Sequence, residues 1–264
     1  MSLIFSAITP HPPLLIPNVG RENLERVKKS EQALTSLAND LYASKPDTVI
    51  IISPHAPISE DTFFINACEK FNCDFEDFGD FETSFNFRPD LELSANIKMR
   101  TQDEDIPLNL ICESKLDHGS AVPLFYLMKN LKDVPIVPIS FSFLDIKTHY
   151  EFGKVLQREI MKTNKRIAVI ASGDLSHAIT PEAPAGFNEK GKEFDEMIVE
   201  MLKNKQEQNI VKMDSKFVEE AAECGYRSIV ILMGILKGIN YRTNVLAYEH
   251  PFGVGYLTCN FSLE

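Results

Sequence analysis

The chain has 264 residues and 44% hydrophobic content, ample material for a packed core without covalent staples. Its 27 Lys and Arg against 38 Asp and Glu give a formal net charge of -11, with no basic stripe to neutralise phosphates, which argues against nucleic acid as a partner. No run approaches the ~18 apolar residues of a membrane span, the N-terminus lacks the pattern of a secretory leader, and the expected location is the cytoplasm.

In chain order, apolar runs of strand length fall at 3–9, 48–53, 108–112, 135–140, 166–171, 242–248 and 255–260. Helical periodicity is clearest over 23–42, 148–163, 188–203 and 225–236. Strands followed by helices are the pattern of an α/β fold, and continuous runs such as VIII and IAVIA predict strands buried on both faces of a mostly parallel sheet. No internal repeat or linker interrupts residues 1–264, so a single domain is expected. The segment 73–87, CDFEDFGDFETSFNF, breaks the rhythm; it reads as an acidic loop pinned by its phenylalanines, or as a wall or lid over a crevice. Five cysteines, Cys68, Cys73, Cys112, Cys224 and Cys259, are odd in number and lack a CxxC pair, which fits a reducing compartment better than a disulfide framework.

Three histidines sit just past apolar runs: His11 in TPHPP, His55 in SPHAP and His177 in ASGDLSHA. In α/β proteins the carboxyl ends of parallel strands open into one crevice, so such residues can converge on a single metal or substrate. Prolines stiffen the backbone around His11 and His55 and fix the direction of each ring. Neutral imidazole suits iron, zinc or copper. A further ligand is sought in FVEEAAECGYRS, where Glu219, Glu220, Glu223 and Cys224 precede an apolar helix. His177 and His118, the latter in LDHGSAVP, are candidates for a fourth ligand, a general acid/base or a hydrogen-bonded loop residue. Asp174 could orient the His177 ring. His149 reads as a solvent-facing residue at a helix start, and His250 as part of a turn. Arg88, Arg100 and Arg227 are candidate partners for a substrate carboxylate, against the plainer reading of surface solvation.

The segments ITPHPPLL, VIIISPHAP, LDHGSAVPL, VIASGDLSHA, ECGYRS and FGVGYL, in that order and spanning most of the chain, resemble the class III extradiol ring-cleavage dioxygenase superfamily. The likeness is to the catalytic subunit of the protocatechuate 4,5-dioxygenase type and to its metal-binding Memo relatives. It implies a single α/β domain with a mixed central sheet, and Fe(II) held by His11, His55 and an acidic residue of the ECG segment. It also implies His177 as acid/base and His118 as a residue that contacts substrate or supports the ligands. At the third ligand the sequence departs from one pattern or the other: ring-cleaving enzymes use Glu, which points to Glu223, whereas the Memo branch has Cys before Gly, which points to Cys224 as its rival. The implied partners are a small aromatic substrate and dioxygen, with a homo-oligomer open. The competing readings are a zinc hydrolase at the same histidines and a Memo-like module, binding iron, zinc or copper without ring cleavage.

Overall fold

Short β-branched runs separated by amphipathic stretches form one layered sheet. The computed structural model describes residues 2–264. The strands are β1 (Leu3–Thr9), β2 (Thr48–Ser53), β3 (Phe63–Asn66), β4 (Phe71–Phe75), β5 (Asp80–Phe87), β6 (Leu108–Ile111), β7 (Ile136–Ser140), β8 (Ile167–Ser172), β9 (Tyr241–Glu249) and β10 (Tyr256–Leu263). Eight of them join in the order β6-β3-β7-β2-β8-β1-β10-β9, and β4 pairs with β5 as a separate antiparallel hairpin. The central block β7, β2, β8 and β1 is parallel. Direction reverses at both margins, where β3 runs against β7 and β10 against β1. The sheet is therefore mixed within a single-domain α/β fold.

The central strands are apolar at consecutive positions because both of their faces are covered. Ile50 and Ile52 enter one core with the helices Ile146–Lys162 and Tyr226–Ile235. Val49 and Ile51 enter the other, with the helices Lys28–Ser44 and His118–Leu127 and with β4. The two helices of the first face meet backbone to backbone. A Cβ at Gly153 would lie 2.1 Å from the Ile231 carbonyl oxygen, and one at Gly234 2.3 Å from that of Tyr150.

Four expectations need correction. The segment 73–87 belongs to a hairpin rather than a loop: along β4 apolar and polar residues alternate with strand period and bury Phe71, Cys73 and Phe75, whereas β5 buries Asp80 and leaves Phe81 exposed. His149 lies within the helix Ile146–Lys162 but is 0% exposed, because it points into the aromatic layer of Phe63 and Phe141. Asp174 does not orient His177; its carboxylate accepts from the backbone N–H of His11. Cys68 and Cys112 form a disulfide. They stand just beyond the paired residues Asn66 and Ile111 of β3 and β6, a proximity set by strand register that spacing alone does not reveal. The strand β3 and the helices Leu91–Asp103 and His118–Leu127 were also absent from the sequence reading. Both helices are N-capped by aspartate, Asp90 accepting from the Leu93 N–H and Asp117 from the Ser120 N–H, a signal available in the sequence. Among the described residues, no helix is long and apolar enough to cross a membrane.

Candidate metal centre

Strand order brings the carboxyl ends of β2, β8 and β1 side by side. His11 stands two residues past β1 and His55 two residues past β2, each between prolines. Their Nε2 atoms face one another at 3.0 Å. His118 joins them from another direction. Its strand β6 runs opposite to the central block, and the ring is delivered instead by the first turn of the helix His118–Leu127. It stacks on His55 with centroids 4.2 Å apart, and donor atoms of His11, His55 and His118 all lie within 4.8 Å of one another. Gly119 makes this approach feasible, since a Cβ there would lie 2.5 Å from Ser53 Oγ and 3.2 Å from His55 Cδ2.

Ser172, at the end of β8, orients the buried ring of His11. Its Oγ donates to the Gly119 carbonyl at 2.5 Å and lies 2.9 Å from His11 Nδ1. One hydroxyl has one proton, so with that proton spent on Gly119 the oxygen accepts from Nδ1–H, and Nε2 of His11 is left with a bare lone pair. Burial lowers the pKa of His11 well below the usual imidazole value, with the neighbouring imidazoles adding to it. Burial likewise brings His55 down to about 4 and lowers His118. Neutral imidazoles are the form that binds metal. Two ligands bonded to one ion at ~2.0–2.1 Å stand roughly 3.0–3.4 Å apart, so the His11–His55 separation fits shared coordination.

The opposite wall comes from the SGD and ECG segments, which cross at their glycines. A Cβ on Gly173 would lie 2.2 Å from Gly225 Cα, so neither loop tolerates a side chain at the crossing. Cys224 Sγ thereby lies 3.6 Å from His11 Nε2, while the Asp174 N–H donates to the same sulfur at 3.3 Å. Burial, with the nearby Asp174 and Glu223, raises the thiol pKa well above its ordinary value. The Glu223 carboxylate turns away from the histidines and accepts from the Tyr226 N–H at the start of the next helix; burial pushes its pKa up to about 7. His177 is fastened to this wall twice, its backbone N–H donating to the Ala222 carbonyl and its Nδ1 lying 3.0 Å from the same oxygen. That leaves its Nε2 as the acceptor, on a ring kept neutral mainly by burial.

A hollow of about 340 Å³ opens beside the cluster, lined in part by His55, His118, Asp117 and Phe78. Phe78, at the hairpin tip, meets His118 edge-on with centroids 5.3 Å apart, so the segment 73–87 does supply a wall. A larger hollow of about 860 Å³, between β5 and the helix His118–Leu127, is lined by no histidine. Ser172, Asp117 and Gly119 were not singled out from sequence. Ser172 ends an apolar strand and gives no signal of its own, whereas Asp117 and Gly119 flank His118 in the LDHGS segment.

Residues 6–258 match the family described as the catalytic LigB subunit of aromatic ring-opening dioxygenase. The chain belongs to the LigB family. It is 31% identical to a Clostridium acetobutylicum protein over 97% of this chain, spanning only 57% of that relative's length. A 2-aminophenol 1,6-dioxygenase beta subunit from Pseudomonas is 25% identical over 99% of this chain and 94% of its own. A MEMO1 family protein of Methanosarcina mazei is 28% identical over 52% of this chain and 48% of its own. The crystal structure of an uncharacterised Escherichia coli K12 protein superposes with a TM-score of 0.69 at 16% identity, covering 97% of this chain and 99% of that one, a likeness of fold.

Proposed function

We propose that this LigB-family chain is a non-haem Fe(II) dioxygenase that opens the ring of a catechol or aminophenol. The observation that carries the reading is the pair of Nε2 atoms facing each other at 3.0 Å, one on the buried His11 ring and one on the more exposed His55 ring, with His118 beside them. With its Nδ1–H given to Ser172, His11 offers a lone pair on Nε2, so the contact is bridged either by the Nε2–H of neutral His55 or, in the other tautomer of that ring, by a cation held between the two. In this reading His11 and His55 hold the ion and His118 supplies the third nitrogen. Glu223, with its carboxylate engaged at Tyr226, is the less favoured donor. When bound, Fe(II) supplies open coordination positions and the redox steps that let dioxygen react with an aromatic diol.

The protein's own residues then divide the remaining work. Ser172 holds His11 in the tautomer that presents Nε2. His177, with Nδ1 committed to Ala222, takes the proton of a substrate hydroxyl on Nε2 and can return it as the ring opens. His118 and Phe78 flank the flat face of the substrate and keep water from it. Anaerobic loading with Fe(II), followed by oxygen uptake over a panel of catechols and aminophenols, tests the assignment. Stoichiometric oxygen consumption with a ring-opened product is expected, and loaded protein that consumes no oxygen on any of them contradicts it. His177→Ala should keep its iron and lose turnover.

A second reading rests on Cys224. Its sulfur lies 3.6 Å from His11 Nε2, close to the spacing of a thiolate and an imidazole on one ion with bonds of ~2.3 and ~2.0 Å. A thiolate ligand favours a copper or zinc module of the Memo kind, without ring cleavage. Tight copper binding that Cys224→Ala abolishes, with no oxygen uptake, would select it.

A further inference from the structure

The larger hollow, of about 860 Å³, has a wall of a kind the metal centre lacks, the outer edge of β5. The hairpin is a two-stranded sheet, so β5 has a neighbouring strand on one side only. Register fixes which of its backbone groups face outward. The Asn72 N–H donates to the Ser114 carbonyl and the Asn72 carbonyl accepts from the Leu116 N–H, so the backbone of Asn72 points away from β5. Its cross-strand partner Asn86 is therefore in a non-hydrogen-bonded pair and points away from β4, as does Ser84 opposite Asp74. The open edge is bounded at both ends: the Glu82 N–H donates to the Asp80 carboxylate, and the Arg88 carbonyl accepts from the Ile136 N–H. Between those ends, among the described residues, the N–H and carbonyl groups of Ser84 and Asn86 have no partner. At ~3.3 Å per residue the opening is about 20 Å long, room for one short extended segment.

The rest of the hollow suits the side chains of such a segment. Phe85, Phe87, Phe125 and Leu131 line it and are only partly buried, with the rings of Phe85 and Phe125 6.1 Å apart between centroids. Lys70, Lys129 and Lys132 line it too, all exposed, and none has a carboxylate within ion-pair distance, unlike Lys115 on the other side of the hairpin, which pairs with Asp74 and Asp77. With Arg88 they make four cations against Glu69, Glu82 and Asp133, a local positive excess in a chain of net charge -11. The Arg88 guanidinium is engaged at the Asp133 carbonyl, so the unpaired charge lies on the lysines.

We propose that this hollow docks an extended peptide segment of a partner protein, added as a third strand beside β5 and alternating apolar with acidic residues. Main-chain bonds to Ser84 and Asn86 would supply affinity, and the side chains specificity: apolar ones against the phenylalanines, carboxylates against the lysines. An apolar small molecule fits less well, because it would cover the outward N–H and carbonyl groups without satisfying them. A second copy of the chain fits less well too, because a two-fold contact at this edge sets one lysine rim against another. The hollow shares the helix His118–Leu127 with the metal centre but none of its histidines, so the proposal does not depend on the ring-cleavage reading.

The test is fluorescence anisotropy of the full chain with a panel of acetylated, amidated heptapeptides in which Glu alternates with Val, Ile, Leu or Phe. Members of the panel should bind, their counterparts with Lys for Glu about tenfold or more weakly, and the double variant Lys129→Glu, Lys132→Glu should reverse that preference. In a peptide that binds, N-methylation at positions of one parity should cost about tenfold or more while the other parity is tolerated, because only alternate N–H groups of an added strand face β5. No binding by any Glu peptide, equal affinity for the Lys series, or indifference to N-methylation at both parities overturns the proposal. Should the double variant fail to fold, amide exchange in the natural protein decides: bound peptide should slow exchange at Ser84 and Asn86 about tenfold or more, and unchanged rates overturn the assignment. A free chain that sediments as a dimer and is dissociated by the Glu peptides would give the hollow to a second copy and likewise overturn it. None of these readouts involves oxygen uptake, so the ring-cleavage reading stands or falls separately.

Discussion

His11 and His149 are buried to the same degree, 1% and 0% exposed, and differ in what their second nitrogen meets. His149 spends both on its own loop: Nδ1 lies 2.9 Å from the Asp145 carbonyl oxygen, and Nε2 lies 3.0 Å from the Ser142 carbonyl oxygen and 3.4 Å from the Ser142 backbone nitrogen. His11 spends only Nδ1, on Ser172, and turns Nε2 towards His55. Burial makes both rings neutral, but only a ring with a free imine nitrogen aimed at others of its kind can serve as a ligand. The end of β1 is thus built for coordination, and the loop after β7 for holding itself together.

The sharpest way to break this contrast is to remove each ring. His11→Ala or His55→Ala should abolish stoichiometric Fe(II) binding, read by metal analysis after desalting, while His149→Gln should retain the full complement. Metal loss in His149→Gln at native fold content would mean that burial, not the free nitrogen, marks the site.

The next effect is on pH. Burial lowers the folded pKa of His149 to about 4, against about 6.5 for an unperturbed imidazole. Between those values the unfolded chain binds the proton and the folded one does not. The contribution is therefore complete above pH 6.5 and lost as pH falls towards 4. Denaturant unfolding should show His149→Gln losing less stability than the natural protein between pH 7 and pH 4, by roughly 3 kcal/mol. Parallel pH profiles would contradict the assignment. Because the comparison is between two proteins sharing every other group, the opposite pull of Asp174, Asp195 and Glu223, all pushed up to about 7 by burial, cancels.

Smaller again is the effect of the hydroxyl that orients His11. Ser172→Ala should weaken Fe(II) affinity about 10- to 100-fold without abolishing it, as loss of an outer partner of a metal-binding histidine generally does. An unchanged dissociation constant would show that the tautomer is set elsewhere. Phe78→Ala should leave metal content intact and raise KM for an aromatic substrate by up to about tenfold, the scale of one edge-to-face contact. A drop in metal content instead would make the hairpin tip part of the metal centre.

The central strands were legible because burial on both faces writes continuous apolar runs, as in TVIIIS and IAVIAS. His11 and His55 were legible for a related reason, since proline-framed histidines just past such runs have one place to go. The role of the LDHGS segment was not. His118 is brought in by a helix N-terminus after a strand running the wrong way, and the space it occupies exists only because Gly119 lacks a Cβ. The hairpin was hidden at its tip, where Asp80 is buried while Phe78 and Phe81 are exposed, so the burial does not follow the residue types there. His149 was misread because the helix places it on the face turned to Phe63 and Phe141, a fact of packing and not of composition. Glu223 and Cys224 show the limit most plainly: adjacent in sequence, they point to different tasks, and only coordinates separate a carboxylate that caps a helix from a thiol that reaches His11.

The central claim is that His11, His55 and His118 grip one ion. X-ray absorption fine structure of the anaerobically Fe(II)-loaded protein tests it most directly. The account predicts nitrogen scatterers at ~2.0–2.2 Å with the outer-shell pattern of three imidazoles, one of which disappears in His118→Ala. A spectrum with oxygen neighbours alone, or one unchanged by His118→Ala, would contradict it.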